Sequence, residues 1–337
     1  MAIRVGINGF GRIGRNFYRA AKERGLDIDL VAANDPFGSK DLMAHLLRHD
    51  TVQGKWDVEA VVTSDGISVN GDDIKILAER EPAKLPWGEL GVDVVVESTG
   101  IFTDGEKAKA HLEAGAPRVI ISAPATNVDG TFVVGVNDDT FDPSMKIVSN
   151  ASCTTNCFVP MVKVLDDAFG IEKGLMTTVH AYTSTQALID GPASKDLRES
   201  RAAALNIIPT STGAARATSL VLEAMKGRLD GTSMRVPVAD GSITDFTGVL
   251  SREVTVEEIN AAFESASKSG PLADVLVYND LPIVSSDIVG SPASCTFDAP
   301  LTMAMGNLVK VFGWYDNEWG YSNRLADLTM IVGAANK

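Results

Sequence analysis

The segment Gly9-Phe10-Gly11-Arg12-Ile13-Gly14 constrains this chain more than any other feature. It follows an apolar, β-branched run, Ile3-Arg4-Val5-Gly6-Ile7, and opens a stretch with helical spacing over 13–24. A G-x-G-x-x-G turn between a strand and a helix lets backbone approach a pyrophosphate. The first glycine makes the tight turn, the second admits the phosphates, and the third lets helix and strand pack closely. The phosphate charge then sits at the helix N-terminus. The glycines alone are a weak signal, but Asp35 ends the next apolar strand (28–33), about 20 residues after Gly14. A carboxylate there accepts hydrogen bonds from adenosine ribose hydroxyls and repels a 2′-phosphate, which selects NAD over NADP.

The first half continues in that rhythm. Short strands are expected at 92–96, 118–121 and 146–149. Helices are expected at 41–48, with Leu42, Leu46 and Leu47 on one face, and at 107–114, ended by Gly115. Between 51 and 84 the pattern becomes hairpin-like, with a turn at Asn70-Gly71-Asp72-Asp73, as in an antiparallel insertion. The second half differs. Residues 173–183 alternate, and long strands are expected over 230–251 and 295–315, with turns at Asp240-Gly241 and Asp298-Ala299-Pro300. Helices at 212–226 and 256–265 would cover them. The fold class is therefore α/β: a Rossmann-type doubly wound parallel sheet plus an α+β catalytic domain with a mainly antiparallel sheet. The expected boundaries are 1–151 for the NAD-binding domain, completed by a C-terminal helix at 317–337, and 152–316 for the catalytic domain. A turn-rich segment from 183 to 206, around Asp190-Gly191-Pro192-Ala193, has the length of a functional or interface loop.

Composition excludes other classes. With 45% apolar and 22% charged residues the chain can bury large cores. It has no apolar run of about 18 residues and no apolar leader with a cleavage site, so a cytoplasmic location is expected. A formal charge of −14 makes it a poor partner for nucleic acid or an anionic membrane. Three cysteines, Cys153, Cys157 and Cys295, make no disulfide framework. Four histidines (His45, His49, His111 and His180) with no C-x₂-C pair give no recognisable metal site, and His45 and His49 read as surface residues.

Cys153 lies between an expected strand and an apolar helical run containing Phe158, Met161, Val162 and Leu165. A helix N-terminus stabilises a thiolate, so its pKa is expected to fall below the free value of about 8.5. The same N–H groups can stabilise an oxyanion formed when sulfur attacks a carbonyl. Cys157 and Cys295 read as small buried hydrophobes. His180 ends the strand at 175–179, where it can reach a catalytic sulfur as general base or lie on a polar surface. An NAD domain joined to a reactive thiol suggests one chemistry. Thiolate adds to an aldehyde, the hemithioacetal loses hydride, and a thioester remains on Cys153.

Several segments carry a resemblance: Ile7-Asn8-Gly9-Phe10-Gly11-Arg12-Ile13-Gly14-Arg15, Ser149-Asn150-Ala151-Ser152-Cys153-Thr154-Thr155-Asn156-Cys157, His180-Ala181-Tyr182-Thr183, residues 207–215, and Trp314-Tyr315-Asp316-Asn317-Glu318-Trp319-Gly320-Tyr321-Ser322. Over essentially its whole length the chain resembles the phosphorylating glyceraldehyde-3-phosphate dehydrogenase family. The block around Cys153 is highly specific. The resemblance implies oxidation of D-glyceraldehyde 3-phosphate to 1,3-bisphosphoglycerate, a reaction of glycolysis and gluconeogenesis, with NAD reduced and inorganic phosphate consumed. It implies Cys153 as nucleophile and His180 as its activator. It implies a cofactor site of Gly9, Gly11, Arg12, Ile13, Gly14, Asp35, Arg80, Ser122 and Asn317, with Asn317 on the nicotinamide carboxamide. Thr183 and Arg235 look like the site for the substrate's own phosphate, and Ser152, Thr154, Thr212 and Gly213 like that for the attacking phosphate. Thr212 and Gly213 can also merely cap a helix, and Arg235 can pair with a structural acid. Arg198 is carried over from a variable loop in which Arg201 is the alternative. Pro192, with Asp35, fits the NAD-using pattern. The family also implies a homotetramer with this loop at a subunit interface.

Three other readings stand beside this one. Erythrose-4-phosphate dehydrogenase shares the scaffold but releases the acyl group to water, so phosphate dependence separates the two. A cysteine hydrolase or acyltransferase would use Cys153 and His180 without a redox step, and the glycine fingerprint with Asp35 speaks against it. A binding protein without catalysis would have no use for Cys153 and His180.

Overall fold

The computed structural model describes residues 2–192 and 196–335. Expectations touching Ala193 and the last two residues of the helix placed at 317–337 lie outside the described residues. Packing divides the chain into two compact units, one of residues up to 132, 138–151 and 322 onward, the other of 133–137 and 152–321. The change of unit expected at 317 thus falls at 322, and 133–137 belongs with the second unit. The cause in the latter case is close packing: Gly135 lies against Pro271, where a Cβ would stand 2.7 Å from the Pro271 carbonyl oxygen.

In chain order the first unit contains β1 (Ile3–Asn8), α1 (Arg12–Glu23), β2 (Ile28–Asn34), α2 (Lys40–Arg48), β3 (Ala60–Val62), β4 (Gly66–Val69), β5 (Asp72–Leu77), β6 (Val94–Glu97), α3 (Gly105–Glu113), β7 (Val119–Ile121), β8 (Gly130–Thr131) and β9 (Ile147–Ser149). They form one sheet ordered β3-β4-β5-β2-β1-β6-β7-β9-β8. Every pairing from β5 through β8 is parallel. Antiparallel pairing is confined to the insertion, β3 with β4 and β4 with β5, the latter hairpin turning through Asn70 and Gly71, both at positive φ. All four residues of β6 are buried, as a strand covered on both faces requires. The strand order reverses between β1 and β6, the place where open α/β sheets leave a ligand crevice. On α2 the buried stripe is Met43, Ala44 and Leu47, while Leu42 is 47% exposed. The buried face is offset from the expected one: Met43 and Ala44 lie four and three residues before Leu47 and so share its side of the helix.

The second unit contains α4 (Cys153–Phe169), β10 (Ile171–Ala181), β11 (Ile208–Ser211), α5 (Ala214–Ala217), β12 (Leu229–Val236), β13 (Ser242–Leu250), α6 (Val256–Lys268), β14 (Leu276–Asn279), β15 (Cys295–Asp298), β16 (Met303–Met305) and β17 (Leu308–Tyr315). The last helix, α7 (Trp319–Ala334), begins here and joins the first unit from Ser322. The sheet runs β11-β12-β10-β13-β17-β15-β14, with β16 on β17, and is mainly antiparallel. The exceptions are β10 with β12 and β14 with β15. Strict alternation along β13 turns one face onto α4 and α6, where Phe158 meets Phe246 and the rings of Phe263 and Phe297 stack at 3.7 Å. The helix expected at 212–226 forms only as α5, followed by two short 3₁₀ turns. The hydroxyl of Thr218 donates back to the Ala214 carbonyl and that of Ser219 to Arg216, competing with a regular helix. Among the described residues no helix is long and apolar enough to cross a membrane.

A reciprocal cap starts α6. The Thr255 hydroxyl accepts from the Glu258 amide, and the Glu258 carboxylate accepts from the Thr255 amide. Thr255→Ala is expected to remove about 1 kcal/mol of stability, seen as a melting temperature about 2–4 °C lower. An unchanged melting curve would mean that the cap is idle.

Candidate active site

Where β1, β2 and β6 end, the first unit opens a crevice of about 380 Å³ lined by Gly9, Gly11, Asp35, Phe37, Arg80 and Thr99, among others. Gly9 adopts φ +96°, and a Cβ there would stand 2.7 Å from Thr99 N. A Cβ on Gly14 would stand 2.5 Å from the Gly9 carbonyl oxygen, whereas one on Gly11 meets nothing within 4 Å. Turn, close packing and open approach are thus divided among the three glycines. No side chain caps α1, so its positive end faces the crevice mouth. Asp35 accepts from the Phe37 amide at 3.0 Å, which aims its carboxylate at the same opening. An uncapped helix N-terminus, a bare glycine and an acid fit a dinucleotide's pyrophosphate and ribose.

Four further residues expected at the cofactor site make other contacts within this unit. The Arg12 guanidinium grips Asp50 at 2.8 and 3.1 Å, tying α1 to the turn after α2. Burial alone would raise the Asp50 carboxyl, but the Arg12 hydrogen bond and the amides of Gln53 and Val52 outweigh it and hold its pKa below the usual value. Ile13 is half-buried, Gly14 packs on Gly9, and the Ser122 hydroxyl donates to Ser98 at 3.0 Å. Arg80 lies over the Phe37 ring at 5.5 Å. A buried network went unnoticed in the sequence. Asn34 donates to Asn8 (2.7 Å) and Asn8 to Glu97 (2.6 Å). His111 Nε2 lies 2.9 Å from Glu97, and Trp87 Nε1 donates to His111 Nδ1 at 3.0 Å. The available signal was a polar residue closing each of three apolar strands.

In the second unit Ser152 caps α4, its hydroxyl accepting from the Thr155 amide at 3.0 Å. Just before it, Ala151 takes φ +55°, a left-handed conformation uncommon for a residue with a Cβ. Cys153 opens the helix, with Sγ 3.4 Å from His180 Nε2. His180, buried near the end of β10, is the register partner of Arg235 on β12. His180 Nδ1 lies 2.6 Å from Ala181 O and 2.6 Å from Arg235 Nη1, which also donates to Ala181 O at 3.1 Å. Tyr315 was missed by the sequence reading. Its hydroxyl sits 2.8 Å from both Thr154 and Thr178, and its ring meets His180 edge-on.

The electrostatics reverse one expectation. Burial pushes the Cys153 thiol up to about 11, although Arg235 and the Thr154 amide and hydroxyl pull it down. Burial, then the Arg235 charge, pushes His180 down to about 3 against the pull of the Ala181 carbonyl. Each partner is driven toward its neutral form.

The remaining expected site residues are dispersed. The Thr154 hydroxyl is turned onto Tyr315. Thr183, three residues beyond His180, pairs its hydroxyl with Thr185 at 2.9 Å. Thr212 accepts from the Ala214 amide at 3.2 Å just before α5, and Gly213 is exposed. Arg198 is exposed, while Arg201 pairs with Asp190 at 2.7 Å. Arg235 contacts His180 rather than an acid. Asn317 lies in the second unit, accepting from the Ser242 hydroxyl at 2.8 Å. Beside it, burial and then the charge of Asp316 raise Asp240 to about 9. Among the described residues no cluster of His, Cys, Asp and Glu could hold a metal ion.

The glycine geometry separates two substitutions. Gly11→Ala should leave the melting temperature unchanged yet weaken NAD binding at least about tenfold, because the new methyl fills the approach to the phosphates. Gly14→Ala should lower both. Calorimetric titration with NAD decides, and full affinity in Gly11→Ala would remove the crevice from consideration.

Comparison with known proteins agrees with this geometry. Residues 3–105 match the family model for the glyceraldehyde 3-phosphate dehydrogenase NAD binding domain, and 152–317 match that for its C-terminal domain. The glyceraldehyde-3-phosphate dehydrogenase of Streptomyces coelicolor is 60% identical over 99% of both chains. Glyceraldehyde-3-phosphate dehydrogenase 2 of Streptomyces avermitilis is 60% identical, and the Mycolicibacterium smegmatis enzyme 59%, each again over 99% of both chains. Matched in both halves and from end to end, the chain belongs to the glyceraldehyde-3-phosphate dehydrogenase family.

Proposed function

We propose that the chain oxidises and phosphorylates D-glyceraldehyde 3-phosphate to 1,3-bisphosphoglycerate through a thioester on Cys153. The observation that carries this reading is Cys153 Sγ, at the head of α4, 3.4 Å from His180 Nε2. Sulfur bonds to the aldehyde carbon, and the carbonyl oxygen becomes the hemithioacetal hydroxyl. The amides opening α4 favour negative charge on that oxygen during attack. NAD, when bound, supplies the hydride acceptor. His180 Nε2, facing the sulfur, removes the hydroxyl proton as the thioester carbonyl forms. Inorganic phosphate then attacks that carbonyl, the C–S bond breaks, and the sulfur is regenerated.

Thr183 and Arg235, with Arg198 from the loop, are proposed for the substrate's phosphate. Ser152, Thr212 and Gly213 are proposed for the attacking phosphate, with Thr154 acting through its amide beside the sulfur. A cytoplasmic homotetramer is part of the same reading. Leu175 and Leu220, 68% and 62% exposed, and Leu308 favour burial against further subunits. A net charge of −14 disfavours nucleic acid and anionic membranes as partners. Relatives bearing the dehydrogenase name and a dinucleotide-binding unit leave the erythrose-4-phosphate and hydrolase readings unfavoured.

NADH absorbance with glyceraldehyde 3-phosphate tests the proposal. Turnover should require phosphate, vanish in Cys153→Ser, and fall about 10²- to 10⁴-fold in kcat for His180→Asn. Substantial turnover by the serine variant would overturn the covalent route, and turnover without phosphate would favour water as the acyl acceptor.

A further inference from the structure

Asn317, which the family resemblance puts on the nicotinamide carboxamide, has two buried acids beside it. Asp316 precedes it in the chain, and Asp240 comes from across the ladder. Ser242 of β13 pairs with Tyr315 of β17 in antiparallel register, so the residues just before Ser242 run beside those just after Tyr315. Asp240 and Asp316 are 3% and 1% exposed, and their side chains hydrogen-bond to each other. Two carboxylates cannot make such a bond, because neither has a hydrogen to donate. One of the pair carries a proton, and the backbone decides which. Asp316 accepts from the amides of Gly290 (2.8 Å), Glu318 (2.9 Å) and Trp319 (2.6 Å). Three amide donors favour the ionised form. The proton therefore sits on Asp240, which donates to Asp316 while accepting from the Gly241 amide at 2.8 Å.

We infer that the carboxyl–carboxylate bond between Asp240 and Asp316 is a clasp that positions Asn317 for NAD, and that it opens when Asp240 loses its proton. The inference rests on the reading of Asn317 as the nicotinamide ligand, and Asp240 is a positioning residue in it. The clasp joins the turn between β12 and β13 to the segment between β17 and α7. The turn itself is tightly placed. A Cβ on Gly241 would stand 2.2 Å from the Ser285 carbonyl oxygen, and the Val238 carbonyl accepts from the Tyr182 amide at 3.0 Å. It leads directly into Ser242, whose hydroxyl accepts from the Ala181 amide and donates to Asn317 Oδ1. With Oδ1 engaged, Nδ2 is the end of Asn317 that meets a ligand's carbonyl. Burial, then the charges of Asp316 and Glu318, push Asp240 up to about 9. From the head of α4 the Cys153 sulfur also feels the Asp240 charge. Asp287, the acid of the segment at Ser285, accepts from the Val284 amide instead. Once Asp240 ionises, two negative charges face each other in the interior, and their repulsion parts the turn from the segment that carries Asn317.

Calorimetric titration at about pH 7 and about pH 10 tests this, with NAD compared to ADP-ribose, which lacks the nicotinamide. The wild-type Kd for NAD should rise about tenfold over that range, because about a tenth of Asp240 stays protonated one unit above its pKa. The Kd for ADP-ribose should stay level. Asp240→Asn, whose amide donates to Asp316 but does not titrate, should bind NAD equally at both. Asp240→Leu, which neither donates nor ionises, should bind NAD about tenfold more weakly than wild type at about pH 7 and show no further loss. Melting of the ligand-free protein gives a second readout. An acid with a raised pKa contributes its full stability only below its unfolded value of about 3.9, and loses it as pH rises through the folded value. Asp240→Asn should therefore melt above wild type at about pH 8, with the gap closing toward about pH 5. No such gap means that Asp240 is ionised at rest, and the inference falls. A gap with pH-independent NAD affinity removes the hold on Asn317, and a parallel rise for ADP-ribose puts the alkaline effect elsewhere; either result overturns the clasp. Asn317→Ala locates the failure: unchanged NAD affinity faults the reading of Asn317, whereas a loss there without the pH response faults the clasp alone.

Discussion

The chemistry of the second unit hangs on the pairing of β10. One edge of that strand runs parallel to β12 and the other antiparallel to β13. Bonded on both sides, it cannot slide, and a shift of one residue would send every side chain to the opposite face. That pairing sets His180 beside Arg235, and Thr178 between Ser233 and Thr244. The Ala181 amide is engaged by Ser242, which reaches Asn317 in turn. Across the core, Phe158 of α4 packs on Phe246 of β13 with ring centroids 5.2 Å apart. The sulfur–imidazole distance is therefore a property of one ladder and one helix, more than of the two reacting residues.

In the first unit a polar chain does comparable work inside an apolar core. Asn8, Asn34 and Glu97 close β1, β2 and β6, and their side chains bond to one another. Glu97 also accepts from the Thr99 amide at 2.8 Å and lies within hydrogen-bond reach of His111 Nε2. Because Trp87 donates to His111 Nδ1, the neutral ring offers its hydrogen from Nε2 to Glu97. A buried network of this kind is tolerable only when its members are satisfied, and then it specifies one geometry. Here that geometry is the mouth of the dinucleotide crevice, since the three loops leaving these strands form its walls.

What the sequence made legible was chiefly local. The glycine turn, Asp35, the parallel rhythm, the hairpin insertion and the alternation of the second sheet are written in spacing, and each element has its counterpart. His180 at a strand end and Cys153 at a helix start were legible for the same reason. What stayed hidden was partner choice. Arg12 is held by Asp50 and Arg235 by His180, 38 and 55 residues away, and nothing in either neighbourhood names the partner. The segment 212–226 misled because Thr218 and Ser219 divert hydroxyls to backbone carbonyls, a choice that helix-period counting does not see. The Cys153 pKa misled because a helix terminus is visible in sequence, whereas the burial opposing it belongs to the folded chain.

That reversal bears on how the thiol is controlled. A sulfur kept anionic at rest is open to alkylation and to oxidation beyond the thiol, since both follow thiolate character and exposure. Here burial pushes the pKa of the sulfur up, and burial with the Arg235 charge pushes that of the neighbouring imidazole down. The helix N-terminus supplies the direction in which charge develops, and the substrate supplies the occasion.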